Sequence, residues 1–245
     1  MMRSGNPVLN DKTFTRHVDL TGEDRMTIMG TVHKTAFLLV LLVITASLTW
    51  GMVFAREASV FGFMIGGAIG GLIFALITIF KPTWAPVTAP IYAALEGLFI
   101  GALSAFAESQ FPGIVLQAVG LTFGTLFALL AAYSSGLIKA TENFKLGVCA
   151  ATGGIFLIYM ATFILGMFNV NIPFIHGTSL MGIGFSAFVV VIAALNLVLD
   201  FDFIEKGADH GAPKYMEWLG AFGLMVTLVW LYIEILHLLM KLGRR

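Results

Sequence analysis

Four carboxylates stand inside otherwise apolar runs: Glu96 in "APIYAALEGLFIGALSAF", Asp200 and Asp202 in "NLVLDFDFIEKG", and Glu234 in "LYIEILHLL". A carboxylate at membrane depth is costly unless it is neutral, paired or wet, so each of these residues is a candidate for a functional role. Two carboxyls converging within a few ångströms would hold one proton between them and titrate as a unit. Such a pair is a pH switch. Deprotonated, it repels itself and attracts a cation; protonated, it hydrogen-bonds and locks helices together.

The other reactive side chains carry less. The single cysteine, Cys149, sits in an apolar run and reads as a packed small hydrophobe. His176, His210 and His237 fall in different regions, so no metal cage is expected, and a passing Ca²⁺ would take oxygen ligands. A serine hydrolase would need serine and histidine facing each other within the bilayer, whereas His176 and Ser179 fall in an outer loop and His237 near a helix end. Two carboxyls sharing one proton is also aspartyl protease chemistry, but nothing resembling the flanking motifs of those enzymes is present. Neither a catalytic residue nor a permanently bound cofactor is expected.

Composition fixes the elements that must position these acids. The chain has 245 residues, of which 58% are hydrophobic and 11% charged, against about 25% charged in a soluble domain. It is therefore expected to be an all-α, polytopic membrane protein whose first partner is the lipid bilayer. Its 14 basic and 14 acidic residues cancel, so no global field draws it to nucleic acid. Residues 1–34 read as a cytosolic tail, with one amphipathic turn over 26–31, and 35–242 as the transmembrane domain. A span needs roughly 20 apolar residues, which gives 35–54, 60–80, 87–106, 114–133, 146–168, 178–203 and a seventh span within 216–240.

With the N-terminus in the cytoplasm, Arg3, Lys12, Arg16, Arg25, Lys34, Lys81, Lys139, Lys145, Lys206 and Lys214 lie inside. Arg56, Lys241, Arg244 and Arg245 lie outside, and this asymmetry fits the positive-inside bias, with the basic C-terminal "KLGRR" as the exception. Glycine stripes, Gly62, Gly66 and Gly70 with Gly67 and Gly71 beside them, Gly97 and Gly101 with Ala105, and Gly120 with Gly124, predict close helix packing.

Helical geometry separates Asp200 from Asp202, because residues two apart point about 200° apart. The Asp200 stripe reads Gly182, Ser186, Val189, Ala193, Asn196, Asp200, small or polar at nearly every step, and turns Asp200 inward. The Asp202 stripe, Phe188, Val191, Leu195 and Val198, is apolar, and Asp202 is expected at the interface, paired with Lys206 four residues on. In the last span Gly220, Gly223, Thr227, Trp230, Glu234, His237 and Lys241 share a face, which turns Glu234 inward too. Glu96 lies roughly 14 Å deep in the third span at 1.5 Å per residue.

The three quoted segments, in this order within a seven-span frame, resemble the transmembrane Bax inhibitor motif family in its bacterial branch, over residues 35–242. The resemblance implies a fold with the last helix central, bracketed by spans 1–3 and 4–6. It also implies a pH-sensitive calcium leak across the inner membrane, with Ca²⁺ transported and protons gating. The family's D-x-x-x-I aspartate falls on Asp200, completed by Ile204, and its L-Y-x-D aspartate falls on Glu234, after Leu231, Tyr232 and Ile233. Asp200 and Glu234 are thereby the expected pH sensor and gate, with Glu96, Asn196, Tyr232, His237 and Asp202 lining the ion pathway or supporting it. A second role found in the family is that of a non-transporting regulator that binds other membrane proteins, such as a membrane protease.

Two departures stand out. Glutamate replaces aspartate at position 234, and 34 residues separate it from Asp200. Were the last span one straight helix from Met216, Glu234 would lie roughly 27 Å along it, too far from the cytoplasmic end to meet Asp200. Contact between the pair requires "GADHGAPKYMEWLG" to form a loop or interfacial helix, with the inserted part starting near Gly220.

Overall fold

The computed structural model describes residues 25–55, 60–168, 177 and 179–244. The tail before Arg25, Arg56 and His176 lie outside the described residues. Seven helices, each long and apolar enough to cross a membrane, are present among them: α1 (Ile28–Phe54), α2 (Val60–Phe80), α3 (Ala85–Gln110), α4 (Ile114–Ser134), α5 (Glu142–Met167), α6 (Leu180–Asp209) and α7 (Met216–Gly243). The last helix is the most enclosed, with 83% of its most apolar window buried.

Local chemistry sets the helix ends. Thr27 and Thr141 cap α1 and α5, their hydroxyls accepting from the Gly30 and Phe144 amides at 2.9 and 3.3 Å. The turn between α3 and α4 passes through Gly113 at φ 85°, and that between α6 and α7 through Gly211 at φ 65°, a region that favours glycine. Four boundaries depart from the hydropathy reading by four residues or more, the end of α3 at Gln110 instead of 106 among them. Helix α1 begins at Ile28 instead of 35, because Thr27 satisfies its polar first turn. Helix α5 begins at Glu142, and α6 continues through the charged residues after Phe203 to Asp209.

The chain forms two compact units. One contains α1 to α3 together with 202–226. In it, a Cβ on Gly67 would stand 2.7 Å from the Phe99 amide and 2.8 Å from the Leu95 carbonyl, so α2 and α3 are in backbone contact there. Gly97 and Gly101 of α3 lie directly against Leu42, Thr45 and Ala46 of α1. Thr78 and Thr88 join α2 to α3 through a 2.7 Å hydroxyl–hydroxyl bond. Not every predicted glycine packs: Gly66, Gly120 and Gly124 face open space, and the contacts of α2 with α3 run through Gly67, Gly70 and Gly71.

The second unit contains α4, α5, residues up to Phe201 of α6, and α7 from Thr227. Ile155, Val189 and Ile192 form its apolar centre, with Ala151, Tyr159, Phe185, Leu195 and Trp230 packed around them.

Candidate functional site

Asp200 and Glu234 both lie in the second unit and both are buried, at 0% and 3% exposure. The stripe that leads to Asp200, Gly182, Ser186, Val189, Ala193 and Asn196, is buried throughout, as its small and polar composition predicts. Asn196 donates from Nδ2 to Thr152 Oγ1 of α5 at 2.9 Å and to its own helix at the Ile192 carbonyl at 2.8 Å.

The Glu234 carboxylate accepts from neutral donors. The Tyr159 hydroxyl of α5 lies 2.9 Å from Oε1 and 3.1 Å from Oε2, and the Trp230 indole Nε1–H donates to Oε1 at 3.2 Å from one turn back on α7. Two turns further along α7, Lys241 donates to Ser186 Oγ at 2.7 Å and to the Gly182 carbonyl at 3.3 Å, both on α6.

These bonds also fix the register of the helices, and the register keeps the two acids apart. Thr152 of α5 is level with Asn196, and Tyr159 lies seven residues further along α5, which runs antiparallel to α6. Glu234, bonded to Tyr159, is therefore level with about residue 189 of α6. The contacts of Lys241 with Gly182 and Ser186, carried seven residues back along α7, place Glu234 level with about residue 191. By either route Asp200 stands roughly nine to eleven residues further along α6, on the order of 14–16 Å. The expected convergence of Asp200 and Glu234 on one shared proton is thus not built. The physical reason is the hairpin: the segment meant to loop out is helix to Asp209, a tight turn at Gly211, and unbroken helix from Met216.

The supporting acids divide as their stripes suggest. Asp202 is bonded to Lys206 Nζ at 2.8 Å, while Phe188 and Val191 on its face are exposed. Because that pair is partly open to solvent, Asp202→Asn is expected to lower the unfolding free energy in detergent by no more than about 1 kcal/mol, read from a denaturant titration. Glu96 is buried in the other unit, hydrogen-bonded by Tyr92 one turn back, and its Oε2 would stand 2.8 Å from a Cβ on Gly71 of α2. Tyr232 is buried. His237 is exposed and not on the inward face where the stripe placed it.

The sequence reading passed over Glu217, because hydropathy put it in a loop. It is fully buried in the first turn of α7. Its Oε1 accepts from the Thr27 amide at 2.9 Å and the Thr27 hydroxyl at 2.8 Å, and its Oε2 is ion-paired with Lys34. Lys214 approaches Oε1 at 3.6 Å, and the Lys34 ammonium also lies 5.5 Å from the Trp218 ring centre. Beside this cluster the Met26 amide donates to the Ala212 carbonyl at 2.7 Å. Tyr159 and Trp230 were also unassigned. A signal for Trp230 was available in its four-residue spacing from Glu234; for Tyr159 there was only a polar-tipped aromatic in the middle of an apolar span.

Seven apolar helices with carboxyls enclosed on the last two define a multi-pass, all-α membrane protein. A family model described as Bax inhibitor 1 like matches residues 6–244, and the chain belongs to that family. Searches of the curated proteins and of the solved structures return no match.

Proposed function

We propose that this protein is a pH-sensitive calcium leak channel of the inner membrane, gated by protonation of Asp200 on α6 and Glu234 on α7. Ca²⁺ is the transported ion, no cofactor is permanently bound, and the N-terminus is cytoplasmic, as the basic residues Lys34, Lys81, Lys139, Lys206 and Lys214 at one set of helix ends favour. The observation that carries the reading is Glu234: a carboxyl buried in a membrane helix and held by neutral donors instead of a salt bridge. Such a group gains or loses a proton with the Lys241 ammonium, two turns on, as a counter-charge that acts at a distance. Because Asp200 is more than two helical turns away, each acid binds its own proton. The gate therefore responds to two protonations along the α6–α7 hairpin, and the ionised state presents carboxylate oxygens to a hard cation.

Calcium flux into proteoliposomes, followed from about pH 6 to pH 8, is expected to change with pH in the native chain. Glu234→Gln and Asp200→Asn should each flatten the profile. Flux that is absent, or a profile unchanged in both variants, overturns the proposal. Absent flux together with capture of a membrane protease from mild detergent would favour the regulator role instead.

A further inference from the structure

The two donors on Glu234 differ from what a merely buried carboxyl requires. An indole N–H can only donate, and an ionised carboxylate can only accept. Trp230 Nε1 at 3.2 Å and the Tyr159 hydroxyl, within reach of both carboxylate oxygens, therefore match the ionised form of the side chain. A protonated carboxyl needs an acceptor for its own O–H: Trp230 offers none, so the Tyr159 oxygen would have to turn from donor to acceptor toward that group. Tyr159 is held independently of this bond: its ring packs edge-on against Phe185 at 6.2 Å and belongs to the apolar centre of the unit.

We infer that Tyr159 is a positioning residue for the gate: with Trp230 it forms a two-donor clasp that holds the ionised Glu234 carboxylate inward and so sets the pH at which the gate changes state. The inference rests on the gating role proposed for Glu234. The groups around that carboxyl are few. Tyr159 faces it from α5. Trp230 faces it from α7, with Lys241 two turns on. Helix α6 contributes apolar Val189 and Ile192 around Trp230, and takes the Lys241 ammonium onto Ser186 and Gly182. The clasp is thus the nearest influence on the Glu234 proton, and Lys241 a more distant one.

Tyr159→Phe removes the hydroxyl and keeps the ring. Losing a donor to the charged form disfavours that form, so a higher pH is needed to ionise Glu234. A hydrogen bond to a charged group corresponds to a shift of about one pH unit. The measurement is infrared titration of the full-length protein in lipid, following the carbonyl stretch of protonated carboxyl and assigning the Glu234 band by its disappearance in Glu234→Gln. The midpoint is expected to rise by about one pH unit in Tyr159→Phe and by less in Trp230→Phe, whose bond is longer and local to one helix. The flux profile should move with it. A Glu234 midpoint unchanged to within about 0.2 pH unit in both variants overturns the clasp, whether or not the protein conducts. A native chain whose flux ignores pH overturns the gating role, while the infrared midpoints still decide the clasp. Should Tyr159→Phe fail to fold, the Trp230→Phe midpoint decides alone.

Discussion

Glu217→Ala is expected to lower the unfolding free energy by about 2–3 kcal/mol, one of the two largest effects of any single substitution proposed for this protein. Three groups depend on that carboxylate. The Thr27 amide and hydroxyl donate to one oxygen, and Lys34, with its side chain 19% exposed, is paired with the other. Removing the acid leaves a mostly enclosed ammonium without its counter-charge and a backbone N–H without its acceptor, and such orphaned groups cost more than the original pair contributed. The partial exposure of Lys34 lets water reach the ammonium, which keeps the effect below the upper end for buried pairs. The double variant Lys34→Met with Glu217→Leu should recover at least half of the loss, since an apolar pair leaves nothing charged behind. Denaturant titration in mild micelles reads both. A Glu217→Ala protein within about 0.5 kcal/mol of the native one would show that the cluster is solvated and contributes little.

The second large effect lies on α3. A Cβ at Gly101 would fall on the backbone carbonyl and Cα of Ala46, and one at Gly97 on the Leu42 carbonyl and Thr45 hydroxyl. Backbone atoms cannot rotate aside as a side chain can, so α1 and α3 must separate along their length. In lipid, where helix association rests on close packing instead of on exclusion of water, that separation removes the interaction itself. Gly101→Val is expected to cost about 3 kcal/mol, near the upper end for overpacked cores, and to reduce the folded yield in detergent. Gly120→Ala and Gly124→Ala, on a face of α4 with nothing within 4 Å, should be neutral or slightly stabilising, since alanine is the better helix former by about 1 kcal/mol. If the α3 and α4 substitutions behaved alike in a size-exclusion and thermal-melt comparison, glycine would matter here only for composition and not for contact.

That contrast marks where reading the sequence reaches its limit. Hydropathy locates the seven helices because apolar length is a local property, and most of the expected ends lie within a few residues of the observed ones. It fails where an end is set by a distant partner. Helix α1 starts one and a half to two turns early because Thr27 caps it and is itself bonded to Glu217, 190 residues away in sequence. The same separation hid Glu217, which looks like a loop acid until Thr27 and Lys34 are brought to it. The inward turn of Asp200 was legible, since stripe composition reports burial. The level of Glu234 against Asp200 was not, because it depends on whether residues 209–216 form a loop or a tight turn between unbroken helices. Glycine spacing likewise says that helices approach, but only the packing of Leu95, Glu96 and Phe99 selects Gly67, Gly70 and Gly71 as the contact residues and leaves Gly66 open.

The Glu217 cluster also has a bearing on how the protein is made. Lys34 and the first turn of α1 are synthesised well before the acid that satisfies them, which is 183 residues further on. At about 5–20 residues per second, the ribosome takes roughly 10 to 40 s to deliver it. Over that interval the start of α1 carries an ammonium and a Thr27 amide without that acceptor. Helices α1 to α3 thus remain an unfastened intermediate until the final hairpin arrives, and a chain truncated before residue 217 should be recognised by quality control as incomplete even though α1 to α6 are already in place.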